Sequence, residues 1–300
     1  MEQVNGHLTI ESEIVCVDLK TLNQYDYRAY FEDCENIGFE ERYVTYENYK
    51  KYLQTFQVNL VETEGIIESQ RIIKEDYEIE KIRKACEITD KAFEYIVKNI
   101  RRGITEKELA FELNYQMIKN GAVGFAFDTI VASGPNASMP HAVPTDRKIE
   151  ENDIILFDFG AKYDGYCADC SRTIFTGKPT EKQKKYFEFT LEQQRKAINS
   201  FRDGTNIKTI VNNREEDYKS EQINLIHAIG HGVGLDIHEE PFLRGTVDCI
   251  LKKNSVIAIE PGVYFPGEFG IRIEDTCLVS KEGCIPLTKS KKDLTIVNLK

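Results

Sequence analysis

Two apolar runs in this 300-residue chain each lead straight into a carboxylate, and that combination narrows the folds open to it. Ile154-Ile155-Leu156-Phe157 runs into Asp158, and Val256-Ile257-Ala258-Ile259 runs into Glu260. Apolar side chains at consecutive positions read as strands covered on both faces. A carboxylate at the end of such a strand is costly unless it is paired or bound to a cation. For Asp158 the competing reading is a turn aspartate before Gly160, since Asp-x-Gly is common in turns. Glu260 is followed by Pro261-Gly262, which stops its strand.

Three further acidic and imidazole positions fit the same demand. Asp169 follows Asp158 by eleven residues, past Gly165, a spacing that suits a hairpin setting the two carboxylates side by side. His231 lies in His227-Ala228-Ile229-Gly230-His231. The i, i+4 histidines lack the glutamate of a helical zinc motif, and Gly230, Gly232 and Gly234 speak for irregular or extended backbone rather than a helix. Glu274 alternates with Ile271 and Ile273, which puts Arg272 and Glu274 on one face; alone, that face reads as a solvated Arg–Glu pair. Four of the five histidines (141, 227, 231 and 238) fall in or beside these segments. Four carboxylates gathered around one imidazole would repel one another, and two divalent cations would balance them. The reading is a two-metal hydrolytic centre of Asp158, Asp169, His231, Glu260 and Glu274.

Composition sets the surroundings. A formal charge of −11 argues against nucleic acid or an anionic membrane as partner. The sequence offers no apolar stretch of about 20 residues and no basic-then-apolar leader, so a cytoplasmic protein is expected. Its eight scattered cysteines are then expected as free thiols. Cys167 and Cys170 form a C-x-x-C without the helix opening of a redox pair or the second half of a zinc site, so two unrelated thiols is the preferred reading.

Along the chain, residues 1–70 read as a small α/β unit, with strands at 14–17, 36–39 and 58–61 and a helix over 46–56. A long amphipathic helix follows from Lys74, with Ile79, Ile82, Ala85, Ile88, Ala92 and Ile96 on one face. Thr105-Glu106-Lys107-Glu108 reads as a capping box opening a helix to Lys119. Strands are expected over 127–133, 154–159 and 166–175, then a helix over 180–201 and a short one at 207–211. Extended segments cover 229–235, 256–259 and 270–279. Helices then strands, twice over, indicate an α+β fold rather than a doubly wound sheet.

These motifs closely resemble the pita-bread (M24) metallopeptidases, the group of methionine aminopeptidase, Xaa-Pro aminopeptidase and prolidase, over residues 71–300. The resemblance implies a pita-bread catalytic domain, with Asp169 and Glu274 bridging two metals and His231 and Glu260 binding one of them. It implies that His141 and His238 contact substrate and the tetrahedral intermediate, and that Glu260 shuttles the proton. His227 and Arg272 are candidates for orienting ligands or substrate. Phe127-Asp128-Thr129-Ile130-Val131-Ala132-Ser133-Gly134 leading into Pro140-His141-Ala142, together with Arg272, points to the proline-specific branch. Residues 1–70 resemble the second half of that branch's creatinase-like N-terminal domain, a shortened form of it. The expected activity is a dinuclear-metal aminopeptidase releasing the N-terminal residue of Xaa-Pro peptides through a metal-bridging hydroxide. Prolidase action on Xaa-Pro dipeptides is the alternative, and a non-catalytic binding protein the remote one. Oxygen-rich ligands favour manganese, with cobalt, iron or zinc as other occupants. Proline-containing peptides are the implied partners, and a homodimer the implied assembly.

Overall fold

The computed structural model describes residues 27–31 and 33–300, and the chain divides between Ile66 and Ile67 into two compact units. The strand expected at residues 14–17 lies outside the described residues. In the first unit β1 (Asn36–Glu40) and β2 (Asn59–Thr63) pair in parallel, with α1 (Tyr46–Phe56) between them in the chain. Parallel neighbours need a crossover of helical length rather than a tight turn. Thr45 caps that helix by accepting from the Asn48 amide at 3.3 Å, and Phe39 meets the Tyr49 ring at 5.2 Å.

The second unit begins within α2 (Ile66–Arg71) and continues into α3 (Asp76–Asn99) and α4 (Glu106–Lys119). The apolar stripe of α3 is buried along its whole length, as its spacing requires. Glu75 with Glu78 and Thr105 with Glu108 form the capping boxes that start the two helices. Six antiparallel strands follow: β3 (Gly124–Phe125), β4 (Ile130–Ser133), β5 (Ile154–Phe159), β6 (Ala161–Tyr163), β7 (Tyr166–Cys167) and β8 (Cys170–Phe175). They form two three-stranded sheets, ordered β4-β5-β8 and β3-β6-β7. Phe93 of α3 locks onto this layer, its ring 5.5 Å from Phe157 and 5.3 Å from Phe159.

The pattern then repeats. Helices α5 (Glu181–Ser200) and α6 (Ile207–Ser220) precede β9 (Gly230–Gly232), β10 (Glu239–Leu243), β11 (Val256–Ile259), β12 (Gly262–Phe265), β13 (Phe269–Arg272), β14 (Asp275–Val279) and β15 (Cys284–Pro286). Five of these strands make a sheet ordered β10-β9-β11-β14-β15, and β12 and β13 make a hairpin beside it. The second unit thus has two halves of one design, helices then strands, and the α+β pita-bread architecture is present. No helix among the described residues is long and apolar enough to cross a membrane.

Four expectations are corrected. The strand expected over 127–133 starts only at Ile130; Thr129 instead donates its hydroxyl to Asn114 at 2.6 Å. The helix at 207 runs to Ser220 rather than stopping at Val211. Asn206 accepts from the Thr209 amide to start it, and its later turns are mostly polar, so hydrophobic spacing does not reveal them. The strand expected over 166–175 and the extended segment expected over 270–279 are each broken, at Ala168-Asp169 and at Ile273-Glu274. The alternation continues through both breaks and so hides them.

Candidate metal centre

Each break sets a carboxylate where a regular strand would not. Asp169 immediately precedes β8 and Glu274 immediately precedes β14. Asp158 faces Ser171 across the β5–β8 pair, so the expected hairpin does bring it beside Asp169. The turn closing that excursion is Asp164-Gly165, between the paired Tyr163 and Tyr166. His231 lies opposite Ala258 in the β9–β11 pair, and Glu260 follows β11 directly, its amide donating to the Ile229 carbonyl at 2.7 Å. Two glycines let the backbones close to this distance. A Cβ on Gly160 would stand 1.9 Å from the Ala168 carbonyl oxygen, and one on Gly230 would stand 1.9 Å from that of Ala258.

The two halves are stitched by paired hydroxyls. Thr276 accepts from the Asp169 amide and donates to the Asp169 carbonyl, both at 2.8 Å. Thr173 mirrors it, accepting from the Arg272 amide at 3.2 Å and donating to the Arg272 carbonyl at 3.1 Å. The Glu274 amide donates to the Ser171 carbonyl at 3.1 Å. These bonds fix ligand positions through the backbone, which is more exact than holding them by side-chain packing.

Donor atoms of Asp169, His231 and Glu274 lie within 4.8 Å of one another, and all three residues are buried. Glu274, which alone could pass for a solvated strand residue, is 1 % exposed, because Ser171 and Thr173 of β8 lie against its segment. His231 Nδ1 donates to the Gly232 carbonyl at 3.0 Å, so in the neutral ring Nε2 carries a bare lone pair. That lone pair faces Asp169 Oδ2 at 3.4 Å and Glu260 Oε1 at 3.7 Å. Three electron-rich atoms spaced a little beyond hydrogen-bond length match donors set around a common cation, whose ligand bonds are about 2.0–2.2 Å. Asp158 Oδ1 is buried and meets no hydrogen-bond partner among the described residues, while Oδ2 accepts from Arg272 at 2.5 Å. An orphaned carboxylate oxygen beside this cluster is the second sign that the donor set fits metal ions.

Electrostatics agree. Burial, then the charges of Asp158 and Glu260, pushes the Asp169 carboxyl well above the usual carboxylate range. Burial, then Asp169 and Asp158, does the same to Glu274. Burial pushes Glu260 up to about 7, with His231 and Arg272 pulling it back. Protein groups alone do not neutralise this cluster; divalent cations would.

Around the cluster, Arg272 is a hub and is 2 % exposed. It donates to Asp158, to Ser171 Oγ at 2.8 Å, to Tyr264 Oη at 2.7 Å and to the Pro140 carbonyl at 3.0 Å. Ser171 in turn donates its hydroxyl hydrogen bond to Glu274 Oε2 at 2.7 Å. His227 Nδ1 donates to the Ala228 carbonyl at 2.7 Å, which leaves Nε2 to accept the Tyr264 hydroxyl at 3.0 Å. Burial, then Arg272, lowers His227 to about 4, so the ring is neutral in this arrangement. His238 stands T-shaped against His231 at 4.4 Å between ring centroids. Its neighbour Glu239 is buried and accepts from Lys74 at 3.2 Å and from Arg71. His141 is exposed on the loop whose Pro140 carbonyl Arg272 holds.

All the residues named from the sequence therefore gather here, His141 at the rim. Two were missed. Tyr264, four positions past Glu260, joins His227 to Arg272. Arg172, also 2 % exposed, donates to the Glu274 carbonyl and to Asp275 at 2.7 Å. Its place three residues past Asp169 marks the segment but not its partner. Cys167 and Cys170 are buried, and burial pushes Cys167 up to about 11 and Cys170 well above the usual thiol range, which disfavours the reactive thiolate.

The model of metallopeptidase family M24 matches residues 80–281, and that of the creatinase/prolidase N-terminal domain matches residues 11–73. An Xaa-Pro dipeptidase of Pyrococcus horikoshii is 40 % identical over 290 residues, covering 95 % of this chain and 81 % of that protein. The structure of an X-Pro aminopeptidase from Thermotoga maritima superposes with a TM-score of 0.89 at 34 % identity, over 99 % of this chain and 85 % of that one. The prolidase of Pyrococcus furiosus gives 0.81 at 38 % identity, over 88 % and 80 %. The paired carboxylates, the imidazole set among them and these likenesses lead to one assignment: the chain belongs to metallopeptidase family M24.

Proposed function

We propose that this metallopeptidase hydrolyses Xaa-Pro bonds at a dinuclear centre held by Asp158, Asp169, His231, Glu260 and Glu274, with the Xaa-Pro dipeptide as preferred substrate. The bare His231 Nε2 lone pair between two carboxylate oxygens carries the metal part of this reading. The dipeptide preference is supported by the Pyrococcus horikoshii relative named Xaa-Pro dipeptidase, so the order expected from sequence, aminopeptidase first, is reversed. The superposition on the Thermotoga maritima X-Pro aminopeptidase favours the aminopeptidase as second reading.

When bound, two divalent ions, manganese foremost, supply a neutral-pH nucleophile and polarise the peptide carbonyl. The protein's own groups do the rest. Arg272 holds Asp158 by one oxygen and leaves the other free, and Ser171 fixes the rotamer of Glu274. Glu260, which burial raises to about 7, takes a proton from the nucleophile and passes it to the leaving nitrogen. His238 at the mouth is kept toward its neutral form by burial and by His231, so its ring can donate one hydrogen bond to a developing oxyanion. His141 approaches the substrate from the exposed loop.

The test compares a matched Xaa-Pro dipeptide and Xaa-Pro-Yaa tripeptide on manganese-reconstituted enzyme. Preference for the dipeptide is expected. Cleavage of the tripeptide alone makes the protein an aminopeptidase, and cleavage of neither with metal bound defeats the proposal.

A further inference from the structure

Glu106 is the first residue of α4, fully buried, and no part of the metal centre involves it. Its carboxylate gathers both ends of one loop. Oε1 accepts from the Ser133 amide and hydroxyl, each at 2.7 Å, and Oε2 accepts from the Thr145 amide at 2.9 Å and hydroxyl at 2.6 Å. The Asn136 side-chain amide bridges the two oxygens at 3.2 Å. Both hydroxyls are oriented: that of Ser133 already accepts from Arg147 Nη1 at 2.6 Å, and that of Thr145 from the Arg147 amide at 3.1 Å. Five donor groups therefore converge on a group that only accepts, and no other residue type offers that at this length.

Between Ser133 and Thr145 lies the segment carrying His141. Its tip is tied to the metal centre by the bond from Arg272 to the Pro140 carbonyl, and Ala137 and Ala142 pack in one apolar cluster with Ile271 and Ile273. Its base is held by Glu106. We infer that Glu106 is a positioning residue for His141, a carboxylate strap that closes the base of the His141 loop so that the imidazole meets the substrate in one place. This rests on His141 acting on the substrate, as proposed above.

Glu106→Gln keeps size and shape but turns an amide donor toward three of the five donors, the pair from Ser133 or Thr145 and the shared Asn136 amide. Loop displacement of about 1 Å is enough to cost up to about 100-fold in rate, so kcat should fall about 10- to 100-fold. Manganese affinity, measured by calorimetry, should stay within about threefold, because no ligand contacts this network. Amide exchange should quicken over residues 133–145 and stay as in the parent elsewhere. The deciding measurement is a double-mutant cycle with His141→Ala. If Glu106 acts through His141, adding Glu106→Gln to His141→Ala costs nothing further. Multiplicative losses, or unchanged exchange over 133–145, overturn the inference. Thr145→Val, which removes one of the bonds, should move the same readouts less and serves if Glu106→Gln does not fold. The exchange pattern reads the strap even for an enzyme that cleaves neither test peptide, so a failed substrate assignment and a failed strap are told apart.

Discussion

The two halves of the catalytic unit each carry a buried arginine that crosses to the other, and the two are used differently. Arg172 leaves β8 of the first half for Asp275 in the second, where Gln194, Thr288 and Lys292 also donate to that carboxylate. Burial pushes Asp275 up, but Arg172 and Lys292 outweigh it and hold the carboxyl below the usual range. That site is closed on itself. Arg272 makes the reverse crossing, from β13 to Asp158, and leaves one oxygen of its partner unsatisfied. One repeated device thus serves as a finished structural lock on one side and as a support for an open, ligand-hungry cluster on the other.

Breaking the cluster itself should have the largest effect. Asp169→Asn is expected to abolish metal loading and activity together, beyond the roughly 10–100-fold typical of an outer partner. Metal analysis beside peptide hydrolysis checks this, and retained activity would refute the dinuclear reading. Next comes the closed lock. Arg172→Met leaves Asp275 short of its main partner and should cost about 3–5 kcal/mol of stability in denaturant titrations. Manganese affinity of the folded fraction should fall by no more than about threefold, since Arg172 meets Glu274 only at its carbonyl; a loss as large as that of an Arg272 variant would mean that the two arginines are not distinct in use. Arg272→Met should do the converse, lowering activity or metal affinity about 10–100-fold. Arg272→Lys should not restore it, since an ammonium cannot span Asp158, Ser171, Tyr264 and Pro140. Smallest is Tyr264→Phe, which frees His227 Nε2 and removes one Arg272 partner. About 1 kcal/mol, or roughly fivefold in kcat, is expected, and no change would place Tyr264 outside the chemistry.

The ligand residues were legible because each departs from its surroundings: a carboxylate closing an apolar run, or a histidine among glycines. Glu274 was legible only in company, since alternation alone suggested solvent. Of the groups that hold the ligands, Arg272 and His227 were named through the family resemblance, whereas Arg172, Tyr264 and Glu106 were not legible, for a physical reason. Arg172 and Asp275 are 103 positions apart, and nothing local in either segment marks the other. Tyr264 resembles any strand aromatic, and Glu106 is hidden inside a capping box whose working members are Thr105 and Glu108. The strand breaks before β8 and β14 escape because the apolar pattern runs through them unbroken. Helix α6 extends past its apolar start because its polar turns satisfy their own backbone bonds.

The stitching of Asp169 to Thr276 and of Arg272 to Thr173 has a consequence for how the protein comes together. Neither half holds a complete set of donors, and each sets the other's backbone at the donor positions. Affinity for the ions is therefore a coincidence detector. It registers the docking of two chain regions about a hundred residues apart rather than the folding of either.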